Sequence, residues 1–463
     1  MNTVLWFRRD LRLSDHPALV QAVEAARPDG EVVALFCVDE HLWGRAGDNR
    51  RAFLVGCLAA LDGSIGGRLV VRTGDPRTVV PALAAEVGAT QVFITADHGP
   101  YGIARDASVA AALKGAGRTL VPVGSCYAVE PASVRTNAGD PYKVFTPFSK
   151  AWAARGWPAP VRAPGAVPWA AGLPSDGLPA APPVTAALPE PGEAAAKRAA
   201  RRFLDGDLAD YDEARDDPGA DATSRLSPYL RWGCVHPRQL LAKLDRSAPH
   251  KAFRNELCWR EFYADVLYHR PDTARRAFVH RMARMEVDDG PAGDAAFEAW
   301  CQGRTGYPMV DAGMRQLLAE GWMHNRVRML VASFLVKDLH LDWTRGARWF
   351  MQHLVDGDLA SNQHGWQWVA GTGTDAAPYV RVFNPVAQGE RFDPLGTYVQ
   401  RWVPELAEVS LRYVHEPWRD PAGLPPGYPA PMVDHADERE EALRRYAAMR
   451  AGHQDPPRGA GTR

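Results

Sequence analysis

The sequence has little cysteine, no long hydrophobic run and no excess of charge of either sign. Its six cysteines are scattered without a C-x-x-C pair, so neither a zinc nor an iron–sulfur site is indicated and no metal is expected. Scattered thiols in a chain of this size are typical of a reducing compartment, so we expect a cytoplasmic protein. We expect no signal peptide and no membrane span, because no apolar run approaches roughly 18 residues. The net charge of −1 neither indicates nor excludes a nucleic-acid partner, since binding follows local patches.

Apolar runs alternate with amphipathic stretches over residues 1–130. The runs are Val4–Phe7, Val32–Val38, Leu69–Arg72, Gln91–Thr95 and Thr119–Val123, and the stretches between them are His16–Ala26, Arg50–Leu61, Arg77–Val87 and Arg105–Lys114. This alternation predicts an α/β domain with a doubly wound, parallel, Rossmann-like sheet. The first strand-to-helix turn lacks G-x-G-x-x-G, so an NAD-type site is not expected there.

Ten prolines lie between Pro158 and Pro191, without a helical period. Such a segment is typical of a semi-extended linker that lies over the surface. After it, almost every long segment repeats apolar residues at three and four, which predicts an all-helical domain. We therefore expect an α/β domain over 1–130, an interdomain linker over 131–195 and a helical domain over 196–463. The tail beyond about residue 438 should begin as a helix and end in a polar, fraying stretch.

The segment from Asp342 to Pro378 is rich in tryptophan, acid and amide. It contains four tryptophans (Trp343, Trp349, Trp366, Trp368), two close aspartates (Asp356, Asp358) and three amides (Asn362, Gln363, Gln367). Ordinary cores use Leu, Ile and Val, and a buried indole needs a partner for its N–H. The segment is therefore either a Trp-rich helical core or a site for a flat, electronically active group with polar edges. Magnesium at the aspartate pair is not favoured, because no further carboxylate or phosphate-type loop accompanies it.

Polar side chains on two other segments leave similar alternatives open. TSRLSPYL, residues 223–230, is either an anion site at a helix start or an ordinary N-cap followed by proline. NELCWREFYADV, residues 255–266, places Glu256, Trp259, Arg260 and Tyr263 on one helical stripe. That stripe fits either a solvated face or a wall that stacks on a base.

In GWMHNRVRM, residues 321–329, Asn325 and Met329 share one helix face and Arg328 lies nearby. Polar groups in such an apolar helix need buried partners, for which Asp356 and Asp358 are candidates. The basic run from His269 to Arg284 is equally consistent with a solvated face and with phosphate binding.

Together these segments resemble the photolyase/cryptochrome family, and most closely the bacterial class I cyclobutane pyrimidine dimer (CPD) photolyases. The matching text, in the family's order, is WFRRDLRLSDHPAL, YKVFTPFSKAW, TSRLSPYLRWG, WREFY, GRTGYPMVDAGMRQL, GWMHNRVRM, ASFLVKDL, DWTRGARWFMQHLVDGDLASNQHGWQW, TGTDAAP and FNP. One motif would be weak, but this many in sequence, covering nearly the whole chain except the linker, are specific.

The resemblance implies an antenna pigment on the N-terminal domain and FAD, bent into a U, in the helical domain. By position, the flavin phosphates would be held by Tyr211, Thr223, Ser224, Arg225, Leu226 and Ser227. The isoalloxazine would be surrounded by Asn325, Arg328, Asp356, Asp358 and Asn362, with Arg328 and Asp356 as a salt-bridged pair. The dimer cavity would be lined by Glu256, Trp259, Arg260, Asn325, Met329 and Trp368, with Arg326, Arg381 and Gln388 near the DNA.

The implied activity is light-driven repair of UV-damaged DNA by a deoxyribodipyrimidine photo-lyase. Excited, fully reduced flavin would donate an electron to the dimer, whose cyclobutane bonds split before the electron returns. The lesion would first leave the stack, at a cost of about a few kcal/mol, and Trp259 and Trp368 would stack its bases at roughly 1–3 kcal/mol per base. Glu256 would stabilise the dimer radical anion by hydrogen bonding. The residues expected to act in catalysis are Glu256, Asn362, Trp343 and Trp366.

Two departures from the family pattern concern electron supply and the antenna. Trp366 and Trp343 occupy the proximal and middle places of the tryptophan chain that reduces the flavin, but the outer place, ten residues before Trp300, is Gly290. Either another aromatic ends the chain or photoreduction is weak. In the loop HGPYGIARD, Gly102 stands where folate-binding relatives carry an acid, and PYG-x-x-RD is more similar to relatives that bind 8-hydroxy-5-deazaflavin. We therefore expect that antenna in preference to methenyltetrahydrofolate.

The family contains alternatives to a CPD photolyase. A plant-type cryptochrome receptor would carry Asp opposite the flavin N5 and often a long C-terminal extension, whereas this chain has Asn362 and ends at Arg463. A (6-4) photolyase would carry paired histidines near the lesion, where Met329 and Trp368 fit the CPD type better. A light-independent electron-transfer flavoprotein would leave the cavity residues unexplained. We expect the family's usual monomer, and the sequence does not predict a preference for single- or double-stranded DNA.

Overall fold

The computed structural model describes residues 1–26 and 28–451. Five parallel strands form one sheet in the order β3-β2-β1-β4-β5, and their bounds are β1 Thr3–Phe7, β2 Val32–Val38, β3 Leu69–Thr73, β4 Gln91–Ala96 and β5 Thr119–Ser125. Every residue of β1 and β2 is buried, which is why these strands are continuously apolar instead of alternating. The predicted doubly wound sheet is confirmed, and each predicted strand is present.

Helices cover both faces of this sheet: α1 Pro17–Ala26, α2 Glu40–Trp43, α3 Asp48–Ser64, α4 Pro76–Glu86 and α5 Pro100–Gly115. The strand order reverses direction between β1 and β4, so the loops after these two strands diverge at the carboxyl edge. Arg8, Arg9 and Asp10 follow β1, and Asp97 follows β4.

The predicted linker is more structured than its composition indicates. It contains helix α6, Phe145–Arg155, whose Phe148 and Trp152 are buried. Further on, Pro168 and Ala170 exchange backbone hydrogen bonds with Val32 at the start of β2, and the Asp176 N–H donates to the Val71 carbonyl of β3. The proline-rich chain is therefore held along the sheet by its backbone.

The rest of the chain is helical, as predicted. The helices are α7 Glu193–Asp205, α8 Tyr211–Ala214, α9 Ser227–Trp232, α10 Pro237–Leu241, α11 Ala248–His269, α12 Gly290–Cys301, α13 Pro308–Glu320, α14 Asn325–Lys337, α15 Trp343–His353, α16 Leu359–Ala370, α17 Pro385–Phe392, α18 Thr397–Trp402 and α19 His435–Ala451. The predicted helical start of the tail is confirmed by α19, and the stretch predicted to fray lies outside the described residues. No helix within 1–26 and 28–451 has the length and apolar character needed to cross a membrane.

Charged side chains join the two halves. The guanidinium of Arg9, just after β1, donates to Asp358 Oδ2 at 2.7 Å, and Arg238 donates to the buried Asp15 Oδ1 at 2.7 Å. Glu261 of α11 accepts from the backbone N–H groups of Ala128 and Val129 and from Trp152 Nε1 at 2.5–2.9 Å. These contacts fix the carboxyl edge of the sheet against α11 and the start of α16.

Candidate functional site

An ion pair with one unpaired oxygen lies between α14 and the loop before α16. Arg328 Nη2 donates to Asp356 Oδ2 at 2.9 Å, and Arg328 Nε donates to the Met323 carbonyl at 2.8 Å. The predicted Arg328–Asp356 pair is therefore confirmed. Asp356 is buried, yet its Oδ1 has no hydrogen-bond partner among the described residues. Buried acceptors are normally paired, so this oxygen is suited to a donor on a ligand.

Asp358 lies two residues further on and caps α16. Its Oδ1 accepts from the Ser361 N–H, while its Oδ2 takes the bond from Arg9. Burial alone would raise the pKa of Asp358, but Arg9, Arg231 and Arg260 hold it well below its usual range. The carboxylate is therefore ionised and surrounded by guanidinium groups, which leaves it poorly placed to bind a metal cation.

Open space lies over the middle turn of α16. A Cβ added to Gly365 would meet no heavy atom within 4 Å, although Asn362, Gln363 and Trp366 around it are buried. The Asn362 side-chain NH2 group donates to the Ala347 carbonyl at 3.0 Å and to Gln363 Oε1 at 2.8 Å. Neither bond uses the Asn362 side-chain oxygen, which stays free to accept a hydrogen bond. A buried helix with an uncovered glycine is a surface on which a flat group can rest closely.

The TSRLSP segment contributes one unsatisfied hydroxyl. Thr223 Oγ1 is buried without a partner among the described residues. Arg225 is engaged elsewhere, because it pairs with Glu320 at 3.0 Å and lies over the Trp322 ring at 4.3 Å. Of the predicted phosphate-binding residues, Arg225 therefore contacts other side chains of the protein. The remaining members of that group lie around it: Tyr211 is buried, Leu226 is buried, and Ser224 and Ser227 are half-buried.

Glu256 and Trp259 occupy one stripe of α11, as their spacing predicts. Glu256 Oε1 accepts from Arg215 Nη1 at 2.7 Å, and burial raises the pKa of Glu256 although Arg215 opposes the shift. The Trp259 ring lies flat on Phe145 of α6, with centroids 3.7 Å apart and an interplanar angle of 5°. Phe145 is not among the site residues predicted from the sequence. Its position in YKVFTPFSKAW, one of the segments that resemble the family, could have identified it.

The other predicted lesion and DNA contacts are only partly brought together. Asn325 Nδ2 lies 3.9 Å from Met329 Sδ, so these two share a face as predicted. Arg326 pairs with Asp216 at 2.7 Å and lies over the Phe392 ring at 4.2 Å. No hydrogen bond, ion pair or ring contact among the described residues joins Arg381, Gln388 or Trp368 to these groups, although Trp368 and Met329 pack on the same hydrophobic cluster; Arg381 is exposed, and Trp368 and Gln388 are half-buried.

Arg260 faces the other half of the molecule. Its guanidinium donates to the Cys126 and Leu230 carbonyls at 3.3 and 3.2 Å and lies over the Tyr127 ring at 4.6 Å. These contacts brace the end of β5 against α9 and α11. The contact of Arg260 with the lesion stays a prediction, because the hydrogen bonds observed for its guanidinium go to backbone carbonyls of the protein.

The two tryptophans predicted to carry electrons have different surroundings. Trp366 meets Phe350 and Trp300 edge-on at 5.0 and 6.1 Å, and its ring fills the space beside Gly346, one turn after Trp343. Trp343 is 8% exposed and lines a cavity of about 360 Å³. Gly290, in the predicted outer position, is exposed and faces open space.

Comparison with known proteins identifies the family. Residues 3–165 match the family model described as DNA photolyase, and residues 253–448 match the FAD binding domain of DNA photolyase. A deoxyribodipyrimidine photo-lyase from Streptomyces griseus is 45% identical over 452 residues, which cover 94% of this chain and 97% of that protein.

The chain belongs to the DNA photolyase family.

Solved structures of the family have the same fold over nearly the whole chain. A class III photolyase from Agrobacterium tumefaciens superposes with a TM-score of 0.86 at 38% identity, covering 97% of this chain and 98% of its own. A cryptochrome from Synechocystis sp. PCC6803 superposes with a TM-score of 0.84 at 28% identity, covering 96% and 99%. The predicted photolyase/cryptochrome family is therefore confirmed, and the assignment to class I stays a prediction.

The residues around α16 fit the FAD that this family's helical domain binds. The unpaired Asp356 Oδ1 and Thr223 Oγ1 are acceptor or donor groups with no protein partner among the described residues, and Gly365, nine residues after Asp356, offers a bare surface on α16. These groups offer hydrogen bonds and a close approach to a polar, flat cofactor, since buried polar atoms are normally paired.

Proposed function

We propose that this chain is a deoxyribodipyrimidine photo-lyase, which uses light to split cyclobutane pyrimidine dimers in DNA. The observation that carries the proposal is the Arg328–Asp356 pair, whose second carboxylate oxygen is buried and unpaired just before α16, the helix that carries the uncovered Gly365. This arrangement lies within the stretch that matches the FAD binding domain of DNA photolyase. Bound, reduced FAD supplies light-driven transfer of one electron to the lesion and back.

The side chains of the helical half would bind and orient this cofactor. Asp356, Asn325, Arg328, Asp358 and Asn362 would hold the isoalloxazine edge, and Thr223, Ser224, Leu226, Ser227 and Tyr211 would lie along the phosphates. The pair formed by Arg328 and Asp356 keeps both charges in place before the cofactor binds, so little reorganisation is needed. Arg225 contributes indirectly, by holding Trp322 and Glu320.

Glu256 and Trp259 would receive the flipped dimer. Because Glu256 forms an ion pair with Arg215, its carboxyl group is held in one orientation and can face a thymine edge. Trp259 is held flat by Phe145, so the ring is preorganised for stacking at little cost in side-chain entropy. Met329 and Trp368 would complete the apolar wall, while Arg326, Arg381 and Gln388 would approach the DNA backbone.

We further propose that the antenna is 8-hydroxy-5-deazaflavin. The acid of folate-binding relatives is replaced by Gly102, whose added Cβ would lie 2.2–2.3 Å from the Asp97 carboxyl group. Asp97 is tied to Arg105 at 3.3 Å, so any side chain at position 102, an acid included, would displace this largely buried ion pair. Mass spectrometry of the chromophore extracted from protein made in a deazaflavin-producing host tests this, and recovery of methenyltetrahydrofolate would overturn it.

We also propose that the protein acts as a monomer in the cytoplasm on UV-damaged DNA. The halves are joined within one chain by buried pairs such as Arg238–Asp15, so no second copy is needed to complete the site. Size-exclusion chromatography with light scattering tests the monomer, and a stable dimer would contradict it.

Illumination of an oligonucleotide containing a single CPD tests the function itself. Reduced holoenzyme should restore thymine absorbance in blue light and leave the lesion intact in the dark. Restoration in neither condition, from protein that binds FAD, would remove the repair function and favour a cryptochrome-type receptor.

A further inference from the structure

A solvent-connected cavity of about 360 Å³ opens beside Trp343. Its lining includes Val336, Leu341 and Ala370 together with Trp343, and several residues between 275 and 287 also line it. The volume lies in the range of small-molecule sites, about 300–1,000 Å³. Because Trp343 is otherwise buried, this cavity is where its ring can be reached from outside.

No aromatic ring of the described residues is placed to take over the role of the missing outer tryptophan. Within 1–26 and 28–451 no aromatic ring, Trp366 included, makes a ring contact with Trp343; Tyr379 lines the same cavity, and Gly290 faces open space. The alternative branch from Trp366 reaches Trp300, but Phe297 lies between Trp300 and Trp349 at 5.8 and 6.3 Å. Phenylalanine is far harder to oxidise than indole, so this branch is interrupted.

Tyr379 lines the same cavity but is unsuited to be a terminal donor. Its ring is stacked on Tyr446 at 4.7 Å, and the ammonium group of Lys337 lies 5.3 Å from its centroid. That neighbouring cation opposes removal of an electron from the phenol ring.

The rim of the cavity attracts anions. Arg275 and Arg276 are exposed, and within the described residues neither guanidinium has a hydrogen bond or an ion pair. Of the two acids on the cavity wall, Asp342 is engaged, because its Oδ1 accepts from the N–H and hydroxyl groups of Thr344. Glu286 alone offsets the two arginines.

We propose that this cavity is a binding site for a small organic anion, of the thiolate class, that donates one electron directly to Trp343. The inference rests on the proposed function. Trp343, having given an electron to Trp366, is an indole radical cation; the bound thiolate loses one electron and leaves as a thiyl radical, and Trp343 returns to neutral indole. No proton needs to move, and the cavity replaces the outer aromatic of the family's tryptophan chain.

Three thiols of similar size but different charge test the site: mercaptoacetate, 2-mercaptoethanol and cysteamine. Light-driven reduction of the oxidised holoenzyme is measured with each donor in the native chain, in Arg275→Gln/Arg276→Gln and in the matched control Arg201→Gln/Arg202→Gln on α7. The rim variant should slow the reaction with mercaptoacetate, a dianion as its thiolate, by about fivefold, as expected for two exposed charge pairs. It should slow the reaction less with 2-mercaptoethanol, whose thiolate carries one negative charge, and not with cysteamine, whose thiolate form is a zwitterion. The control pair should leave all three rates unchanged. A loss shared equally by the three donors, or no loss, would overturn the proposal.

A second measurement needs neither flavin chemistry nor DNA, so its result is independent of the repair function. Iodide quenches accessible indoles, and the share of quenching due to Trp343 is the difference between the native chain and Trp343→Phe. That share should be present in the native chain and should fall when Ala283→Leu fills the cavity. Equal iodide quenching of the native chain and Trp343→Phe would show that the ring is not reached. Photoreduction that is lost in Trp349→Phe but kept in the rim and cavity variants would contradict the proposal. It would show that electrons enter through Trp349 and Trp300 instead of through Trp343.

Discussion

Phe145 lies flat against Trp259, with ring centroids 3.7 Å apart and planes within 5° of parallel. The contact joins α6, inside the predicted linker, to the stripe of α11 that carries Glu256. One face of the indole is therefore covered by protein, and a flipped base has the other face and the edge to stack on. The linker thus takes part in shaping the proposed lesion site.

Removing this indole should weaken lesion binding specifically. Trp259→Ala is expected to reduce affinity for a CPD oligonucleotide about tenfold or more, since stacking contributes about 1–3 kcal/mol per base. Phe145→Ala should cost less, roughly the 0.5–1.5 kcal/mol of an aromatic pair. Fluorescence anisotropy measures both, and affinity for undamaged DNA serves as the control because phosphate contacts dominate it. An equal loss for damaged and undamaged DNA would contradict the assignment.

Neutralising Asp356 should remove the cofactor. Asp356→Asn leaves Arg328 without its carboxylate in a largely buried site, and a loss of FAD affinity of about tenfold to a hundredfold is expected after allowing for the partial exposure of Arg328. FAD content after purification and titration of the apoprotein give the measurement. The exposed Asp205→Asn is the matched control and should keep full occupancy. Normal FAD content in Asp356→Asn would show that the pair does not hold the cofactor.

Photoreduction of the purified protein should be slow, whereas repair by chemically reduced enzyme should be efficient. The reason is that Gly290 stands in the place of the outer tryptophan, so the chain formed by Trp366 and Trp343 has no aromatic exit. Absorbance at the oxidised flavin band during illumination measures the first quantity, and CPD repair after dithionite reduction measures the second. Fast, stable photoreduction that survives Trp343→Phe would show that electrons leave by another route.

The Arg9–Asp358 pair should make stability depend on pH on the acid side. The pKa of Asp358 is lowered in the folded chain, so its contribution is present above the unfolded value of 3.8 and is lost as pH falls. For a carboxyl group that stays ionised when folded, the free energy of unfolding should fall by about 0.6 kcal/mol between pH 5 and 3.5. Urea unfolding of Asp358→Asn should lack this component, and the variant should be about 3 kcal/mol less stable at pH 7, because Arg9, whose side chain is only 19% exposed, is left without its partner.

Removing both charges provides the control for that measurement. Arg9→Gln/Asp358→Asn should recover part of the stability lost in the single variant, since no unpaired charge remains. A single variant as stable as the native chain at pH 7 would contradict a structural role for the pair.

The strands and the Arg328–Asp356 pair were predictable for different reasons. The strands are buried on both faces, so their apolar runs are continuous and stand out from the amphipathic helices. The residues alone predicted only that the polar groups of α14 need buried partners, with Asp356 and Asp358 as candidates. The choice of Asp356 for Arg328 came from the resemblance to the family.

The contacts that escaped prediction join residues far apart in sequence. Phe145 and Trp259 are 114 residues apart, and Arg9 and Asp358 are 349 apart, so neither pair leaves a periodic signal. Arg260 fits the stripe of α11 by spacing, yet its long side chain turns to the Cys126 and Leu230 carbonyls. Helical spacing fixes where a side chain begins, whereas tertiary packing decides where its charged end goes.

The central claim is that one site holds FAD beside a cavity that admits the dimer. The most direct test is the fluorescence lifetime of the reduced holoenzyme with a CPD oligonucleotide and with the same undamaged oligonucleotide. Electron transfer from the flavin to a lesion in the same site should shorten the flavin fluorescence lifetime with the CPD oligonucleotide and not with the undamaged one. Trp259→Ala should lose much of that effect at subsaturating oligonucleotide. An identical lifetime with saturating CPD and with undamaged DNA would mean that cofactor and lesion do not meet.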